Sequence, residues 1–137
     1  MVQTSNLRRY AFGDRVFVTA QQMWSILAGF VMWSPDAAKR GLITYGDLAE
    51  KAGYADRRAG RLIGRQLGVI GEFCLQNDLP ALNSIVVRAD SGVPGTGVVH
   101  NVARTVSEEQ EDVLAYNWYI IGVPTTGMLR KVWESLA

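Results

Sequence analysis

The sequence contains very little of what metal binding and covalent catalysis require, since its 137 residues include one cysteine and one histidine. A lone cysteine, Cys74, excludes an internal disulfide and a cysteine-rich metal site. His100 has no second histidine or cysteine near it in the sequence, so we expect no metal and no cofactor. Because Cys74 lies between Phe73 and Leu75 without a cationic neighbour, we expect a buried, inert thiol.

Long hydrophobic runs are also scarce. The longest apolar window, around Met23 to Trp33, is interrupted by Ser25 and Gly29 and is too short to predict a membrane span. Residues 1–14 contain no apolar core of the kind that a secretion signal requires. With 48% apolar and 20% charged residues, the chain is expected to be a globular, cytoplasmic protein with a single domain over residues 1–137.

No catalytic pattern stands out among the remaining residues. The glycine-rich segment 92–97 contains no lysine and therefore differs from the usual phosphate-binding loop. No base is seen beside a nucleophile, and an enzyme that acts through Asn83, Ser84 or His100 is the least favoured reading. We expect a non-catalytic protein.

Charge is unevenly distributed along the chain, although the net charge is only +1. Between Lys39 and Arg65, seven basic residues stand against three acidic ones, whereas from Val106 onward two basic residues stand against five acidic ones. A basic region suits a polyanionic partner. The acidic end argues against a protein that coats nucleic acid indiscriminately.

The basic region is also where the sequence predicts two short helices joined by a tight turn. Thr44 is expected to cap the first helix, which ends at Gly53. Asp56 is expected to cap the second helix, which runs from about residue 57 to about residue 67. A short helix, a glycine turn and a basic second helix form the helix-turn-helix unit that binds nucleic acid in many proteins.

Four arginines distinguish the predicted second helix: Arg57, Arg58, Arg61 and Arg65. Positions four apart lie on one side of an α-helix, so the first, third and fourth of them would form a stripe. Residues 62, 63 and 67 would face the core. No acid follows until Glu72, so we interpret the arginines as a surface for a polyanion. The alternative is a solvated face with local ion pairs.

Glycines recur every four residues in the same helix, at Gly60, Gly64 and Gly68. Each costs an α-helix about 1 kcal/mol relative to alanine, so their presence needs a reason. Close approach of a DNA backbone or a partner helix is one reason, and a tight helix crossing inside the fold is an equal alternative.

A longer helix is predicted before this unit. Thr19 is expected to cap it, and Ser34, which precedes a proline, is expected to end it. Its apolar spacing predicts that Trp24 and Trp33 lie in the core. Residues 35–40 could add one further turn.

Strands and further helices are predicted after it. Residues 84–88 have strand composition, and residues 98–100 are their expected partner in a β-hairpin. Ser107 with Gln110 predicts a capping box for the next helix, and Thr126 is the expected cap of the last one.

Three segments, TYGDLAEKAGY, RAGRLIGRQLG and LPALNSIVVRADSGVPG, resemble the DNA-binding domain of the O6-alkylguanine-DNA alkyltransferases and the alkyltransferase-like proteins. The resemblance covers roughly residues 41–99. In that family a tyrosine of the first motif rotates the phosphate of the target nucleotide, and an arginine of the recognition helix fills the gap in the base stack. The resemblance implies these roles for Tyr45 and Arg61.

This chain departs from the family at the acceptor site. The family has a cysteine followed by histidine and arginine where this chain reads Leu82-Asn83-Ser84-Ile85. Without a thiolate there is no alkyl transfer. The resemblance therefore implies a winged-helix fold rather than a repair reaction.

We therefore predict an α+β protein: a winged helix-turn-helix core with a small β-hairpin and extra N- and C-terminal helices. Its expected partner is DNA, and no association with a membrane is expected. The predicted contact residues are Tyr45, Arg57, Arg58, Arg61, Arg65 and, on the wing, Arg88. The alternative is a protein-interaction module, such as an immunity, inhibitor or accessory factor of a mobile element, that uses the same arginine face against an acidic partner.

Overall fold

The computed structural model describes residues 15–34, 41–95 and 98–136, and within them helices predominate. In chain order the elements are α1 (Arg15–Trp33), β1 (Ile43–Thr44), α2 (Tyr45–Lys51), a first 3-10 helix (Arg57–Leu62), α3 (Gly64–Gln76), a second 3-10 helix (Leu82–Ile85), β2 (Val86–Val87), α4 (Val106–Ala115) and α5 (Thr126–Glu134). Five α-helices with two short strands agree with the α+β class.

The core forms where α1 packs against α3 and α5. Trp24 is 1% exposed, as predicted, and its ring meets the rings of Phe73 and Trp118 edge-on at centroid distances of 5.5 and 5.6 Å. The Trp118 indole N–H donates to the carbonyl oxygen of Val113, so this polar atom is satisfied inside the core. The prediction for Trp33 is wrong, because this last residue of α1 is 76% exposed.

Helix α1 begins earlier than predicted. Thr19 lies inside the helix, and its hydroxyl donates to the carbonyl oxygen of Arg15 at 2.6 Å instead of capping the N-terminus. Such a bond satisfies a threonine within a helix. By length and composition the 19 residues of α1 could cross a membrane, which the interrupted apolar window did not predict. Eight of them are buried against the rest of the fold, as in the core helix of a globular domain.

Three caps of the central unit are confirmed. The Thr44 hydroxyl accepts the backbone N–H of Asp47 at 3.1 Å, and the Asp56 carboxylate accepts the backbone N–H of Arg58 at 2.9 Å. Gly53 follows α2 with a φ of +93°, a conformation that glycine adopts without strain.

The predicted single helix over residues 57–67 is wrong. A 3-10 helix ends at Leu62, and α3 begins at Gly64 and continues to Gln76. The packing of Gly60 against α2 fits the tighter element, since a Cβ atom at this glycine would lie 2.9 Å from the carbonyl carbon of Tyr45. Because the turn is tighter, Leu62 is 70% exposed rather than buried, while Ile63 and Leu67 are buried as predicted.

The predicted hairpin is also wrong. β2 pairs in parallel with β1, with Ile43 opposite Val86 and Thr44 opposite Val87. Residues 98–100 are not in a strand. Parallel pairing requires a long crossover, and here the crossover contains α2, the first 3-10 helix and α3. It brings the end of β2 beside the start of α2.

Two helix starts lie one or two residues before the predicted ones. Thr105 and Glu108 form the capping box of α4, and Thr125 caps α5 by accepting the backbone N–H of Met128. The further turn suggested for residues 35–40 lies outside the described residues, as do residues 96–97 of the glycine-rich segment.

Candidate nucleic-acid interface

Side chains from both halves of the central unit line one open groove of about 750 Å³. We call it the arginine groove; its walls are formed by Thr44, Tyr45, Gly46, Arg58, Gly60, Arg61, Gly64, Arg88, Ala89, Asp90 and Gly95. Three guanidinium groups and one carboxylate thus face a cleft whose other walls are largely glycine and one aromatic ring. This excess of positive charge favours an anionic ligand.

The 3-10 geometry decides which arginines meet in the groove. With three residues per turn, positions i and i+3 lie above each other, which aligns Arg58 with Arg61. Both line the groove. The predicted stripe of Arg57, Arg61 and Arg65 assumed the period of one α-helix, whereas the first two residues lie in a 3-10 helix and the third lies in α3. Arg65 is exposed in the first turn of α3 and does not line the groove, and the side chain of Arg57 lies outside the described residues.

Arg88 reaches the groove from the segment that follows β2. Its backbone N–H donates to Val93 and its carbonyl accepts from Gly92, both at 2.8 Å, so a tight loop begins at this residue. Gly92 has a φ of +71°, which such a turn requires. The parallel pairing of β1 with β2 therefore carries the Arg88 loop to the start of α2.

Tyr45, the first residue of α2, connects the two sides of the groove. Its hydroxyl accepts the backbone N–H of Gly95 at 2.8 Å, across 50 residues of sequence. The ring is half-buried and packs against the core. This bond fixes the loop that carries Arg88 onto the helix unit that carries Arg58 and Arg61.

Removing this bond is expected to cost stability. Tyr45→Phe should lower the free energy of unfolding by about 0.5–1.5 kcal/mol, the usual contribution of one hydrogen bond. Urea denaturation of the variant measures this. Tyr54→Phe is the matched control, because the half-buried Tyr54 hydroxyl forms no hydrogen bond with the described residues. Equal losses in the two variants would contradict the connecting role of Tyr45.

From the sequence we interpreted the arginines of the basic region as lacking nearby counter-anions. This interpretation is wrong for Arg58, which forms a local ion pair, as Arg88 also does. The Arg58 Nη2 atom lies 2.7 Å from the Asp56 carboxylate, and the Arg88 Nη2 atom lies 2.9 Å from that of Asp90. Hydrogen bonds from the Arg58 side chain and then from its backbone N–H lower the pKa of Asp56, and a hydrogen bond from Arg88 lowers the pKa of Asp90. Both carboxylates therefore stay ionised at neutral pH.

Arg61 differs from its two neighbours in the groove. It is exposed, and within the described part of the chain it forms no ion pair. The groove thus contains one open arginine and two that hold a carboxylate. The spacing Asp-Arg-Arg at 56–58 and Arg-Ala-Asp at 88–90 could have indicated these pairs, because an acid two residues from an arginine is within reach in a turn.

The segment at the family's acceptor position is buried. Asn83 is 4% exposed, its amide Nδ2 donates to the carbonyl oxygen of Val99, and its Oδ1 has no partner among the described residues. Together with Tyr45, Asn83 lines a hollow of about 80 Å³ beside the groove. Ser84 is fully buried as well.

The structure brings no catalytic set together at these positions. Within the described ranges, no hydrogen bond joins His100 to Asn83 or Ser84, and the only contact of the His100 Nδ1 atom is with the carbonyl oxygen of Asn101. Burial raises the pKa of the Cys74 thiol to about 12, so it is no thiolate at neutral pH. Among the described histidine, cysteine and acidic side chains, no group of three could hold a metal ion.

A second cavity, of about 210 Å³, shares no lining residue with the arginine groove and is lined in part by the buried Glu109. The Glu109 carboxylate accepts the backbone N–H of Ala81 at 2.9 Å and the Nε–H of Arg104 at 2.8 Å. Both oxygens are therefore satisfied within the fold. This cluster attaches α4 to the segment before the second 3-10 helix and leaves the arginine groove as the stronger candidate site.

Comparisons of the chain with protein-family models, with curated proteins and with solved structures find no match.

Proposed function

We propose that this chain is a non-catalytic DNA-binding protein that holds the phosphates of a duplex in the arginine groove. The observation that supports this most is the convergence of Arg58, Arg61 and Arg88, from two separated segments, on one open cleft. Guanidinium groups bind phosphate oxygens through paired N–H donors. Phosphate contacts of this kind supply most of the affinity of DNA-binding proteins.

The glycines of the groove support the same proposal. A Cβ atom built at Gly64 would have no neighbour within 4 Å, so the groove is open to a ligand at this point. A phosphate backbone could therefore approach the start of α3 closely, with Arg61 on one side. Glycine at such a position removes a side chain that would otherwise separate the two backbones.

The winged-helix arrangement belongs to this proposal. In it, α2 and the first 3-10 helix with α3 correspond to the helix pair, and the loop that begins at Arg88 corresponds to the wing. The resemblance to the alkyltransferase domain supports this reading, because the positions matched to its tyrosine and arginine, Tyr45 and Arg61, line the same groove. An alkyl-transfer reaction is not part of the proposal, since residues 82–85 of the acceptor segment include no cysteine.

An NMR titration with a short duplex tests where the DNA binds. We expect the backbone amides of Gly46, Gly60, Gly64 and Gly95 to shift with increasing DNA, because they line the groove. The amides of α5, none of whose residues lines the groove, should stay unchanged. Shifts confined to α5, or no shifts at low salt, would contradict the proposal.

The alternative of an acidic protein partner is favoured by one observation, namely that Arg58 and Arg88 already hold carboxylates. Pull-down from a lysate treated with nuclease separates the two functions. A partner that binds after nuclease treatment and is lost with Arg61→Ala favours the protein interaction. Loss of all bound material on nuclease treatment favours DNA.

A further inference from the structure

The arginine groove carries its own anions. Asp56 accepts both the Nε–H and the Nη2–H of Arg58 at one carboxylate oxygen, at 2.9 and 2.7 Å. Asp90 lines the groove and accepts the Nη2–H of Arg88 at 2.9 Å. A phosphate oxygen would compete for these N–H groups, because a guanidinium fork fits phosphate and carboxylate alike.

We propose that Asp56 and Asp90 are intramolecular competitors of phosphate that hold the affinity of the arginine groove for duplex DNA below what its three guanidinium groups alone would give. This inference rests on the proposed function and names what regulates the same site. Arg61 forms no ion pair with a described carboxylate and is open to a first phosphate. Further phosphates on the same strand then compete with the two carboxylates for Arg58 and Arg88.

The two ion pairs are weak enough for this exchange. Their side chains are between half and four-fifths exposed, so water and salt screen them. A linked polyanion pays the entropy of association once and gains at several sites, so it displaces screened carboxylates where a single phosphate does not. Each displaced carboxylate lowers the affinity, so the two aspartates lower it most for a duplex that contacts both Arg58 and Arg88.

The geometry at Asp56 allows competition to be separated from folding. One carboxylate oxygen caps the 3-10 helix by accepting the backbone N–H of Arg58, and the other binds the Arg58 side chain. Asparagine keeps the capping oxygen and removes the charge. Asp90 forms its side-chain bond within a turn, where asparagine is equally tolerated. Asp56→Asn with Asp90→Asn should thus free the arginines and leave the fold intact.

The experiment compares this double variant with the wild-type chain for binding of a short duplex and of inorganic phosphate. We expect duplex affinity to rise roughly two- to fivefold per substitution, the range given by exposed ion pairs. The slope of log affinity against log salt should steepen by about one to two units. Phosphate should bind the variant measurably more tightly than it binds the wild type.

A matched control removes the same charge elsewhere. Glu111 and Asp112 are exposed on α4, and Asp112 pairs with Arg104 outside the groove. If Glu111→Gln with Asp112→Asn tightens duplex binding as much as the groove variant does, the effect is general and the inference is overturned. It is also overturned if the wild type binds duplex and the groove variant binds no tighter, which leaves the proposed function intact. If neither protein binds duplex, both fail together.

Discussion

Replacing Arg61 and Arg88 together with alanine is expected to weaken duplex binding by roughly tenfold or more at about 100 mM salt. The two residues come from different segments and both line the groove, so their loss removes two of its three guanidinium groups. Each phosphate contact contributes about 0.9 to the slope of log affinity against log salt, so the slope should fall by about two units. Fluorescence anisotropy with a labelled duplex over a salt series measures both quantities.

The control for this variant removes two cations outside the groove. Arg15 and Lys131 are exposed on α1 and α5, and neither lines the groove. Arg15→Ala with Lys131→Ala should change the salt slope little, because only general attraction is lost. Both double variants should unfold within about 0.5 kcal/mol of the wild type, as is usual for exposed side chains. Equal losses of affinity in the two would contradict a specific role of the groove.

Replacing Gly60 with alanine is expected to destabilise the fold by about 1–3 kcal/mol, the usual cost of adding a methyl group to a packed site. A Cβ atom there would lie 2.9 Å from the carbonyl carbon of Tyr45 and 3.0 Å from the nitrogen of Gly46, and backbone cannot move aside easily. The variant should therefore lose part of the contact between the first 3-10 helix and α2. Chemical denaturation measures the loss in free energy of unfolding.

Gly64→Ala is the matched control, four residues further along. No atom lies within 4 Å of a Cβ atom at Gly64, so the free energy of unfolding should stay the same or rise by up to about 1 kcal/mol. The added methyl group would nevertheless project towards the groove and should weaken DNA binding. A Gly60→Ala variant as stable as Gly64→Ala would show that the approach of α2 does not require glycine at residue 60.

These glycines show what the sequence predicts and what it cannot. Their period of four indicated one common reason, a close backbone approach by DNA or by a helix. In the fold each has its own surroundings: Gly60 touches α2, Gly64 is open, and a Cβ atom at Gly68 would lie 3.6 Å from the ring of Trp133. Sequence spacing identifies residues that need an explanation, whereas the neighbour that explains them comes from a distant part of the chain.

Local chemistry was predicted better than tertiary pairing. Thr44 and Asp56 cap their helices as expected, because a capping bond joins residues two or three positions apart. Val86 and Val87 have strand composition, but their partner Ile43–Thr44 lies some forty residues earlier and is only two residues long. Pairing with residues 98–100 was the nearer choice in sequence and proved wrong.

The candidate site was predicted in part for the same reason. Tyr45, Arg58, Arg61 and Arg88 line one groove, although not through the α-helical stripe that was expected to unite the arginines. The stripe required the period of an α-helix. Residues 57–62 instead form a 3-10 helix, in which Gly60 packs against Tyr45, and Arg58 rather than Arg65 joins Arg61 in the groove. The ion pair of Asp90 with Arg88 depends on the conformation of the loop after β2. The only indication of it in the sequence was that the two residues lie two positions apart.

The salt dependence of duplex binding by the wild-type chain tests the central claim most directly. Anisotropy of labelled duplex and single-stranded DNA would be followed between about 50 and 200 mM salt. Contacts of Arg58, Arg61 and Arg88 with three phosphates predict a slope of about −2.7 on the duplex, reduced by whatever repulsion the two aspartates exert. The slope should be shallower on the single strand. Binding that is absent at the lowest salt, or that does not change with salt, would contradict the claim that the arginine groove holds DNA.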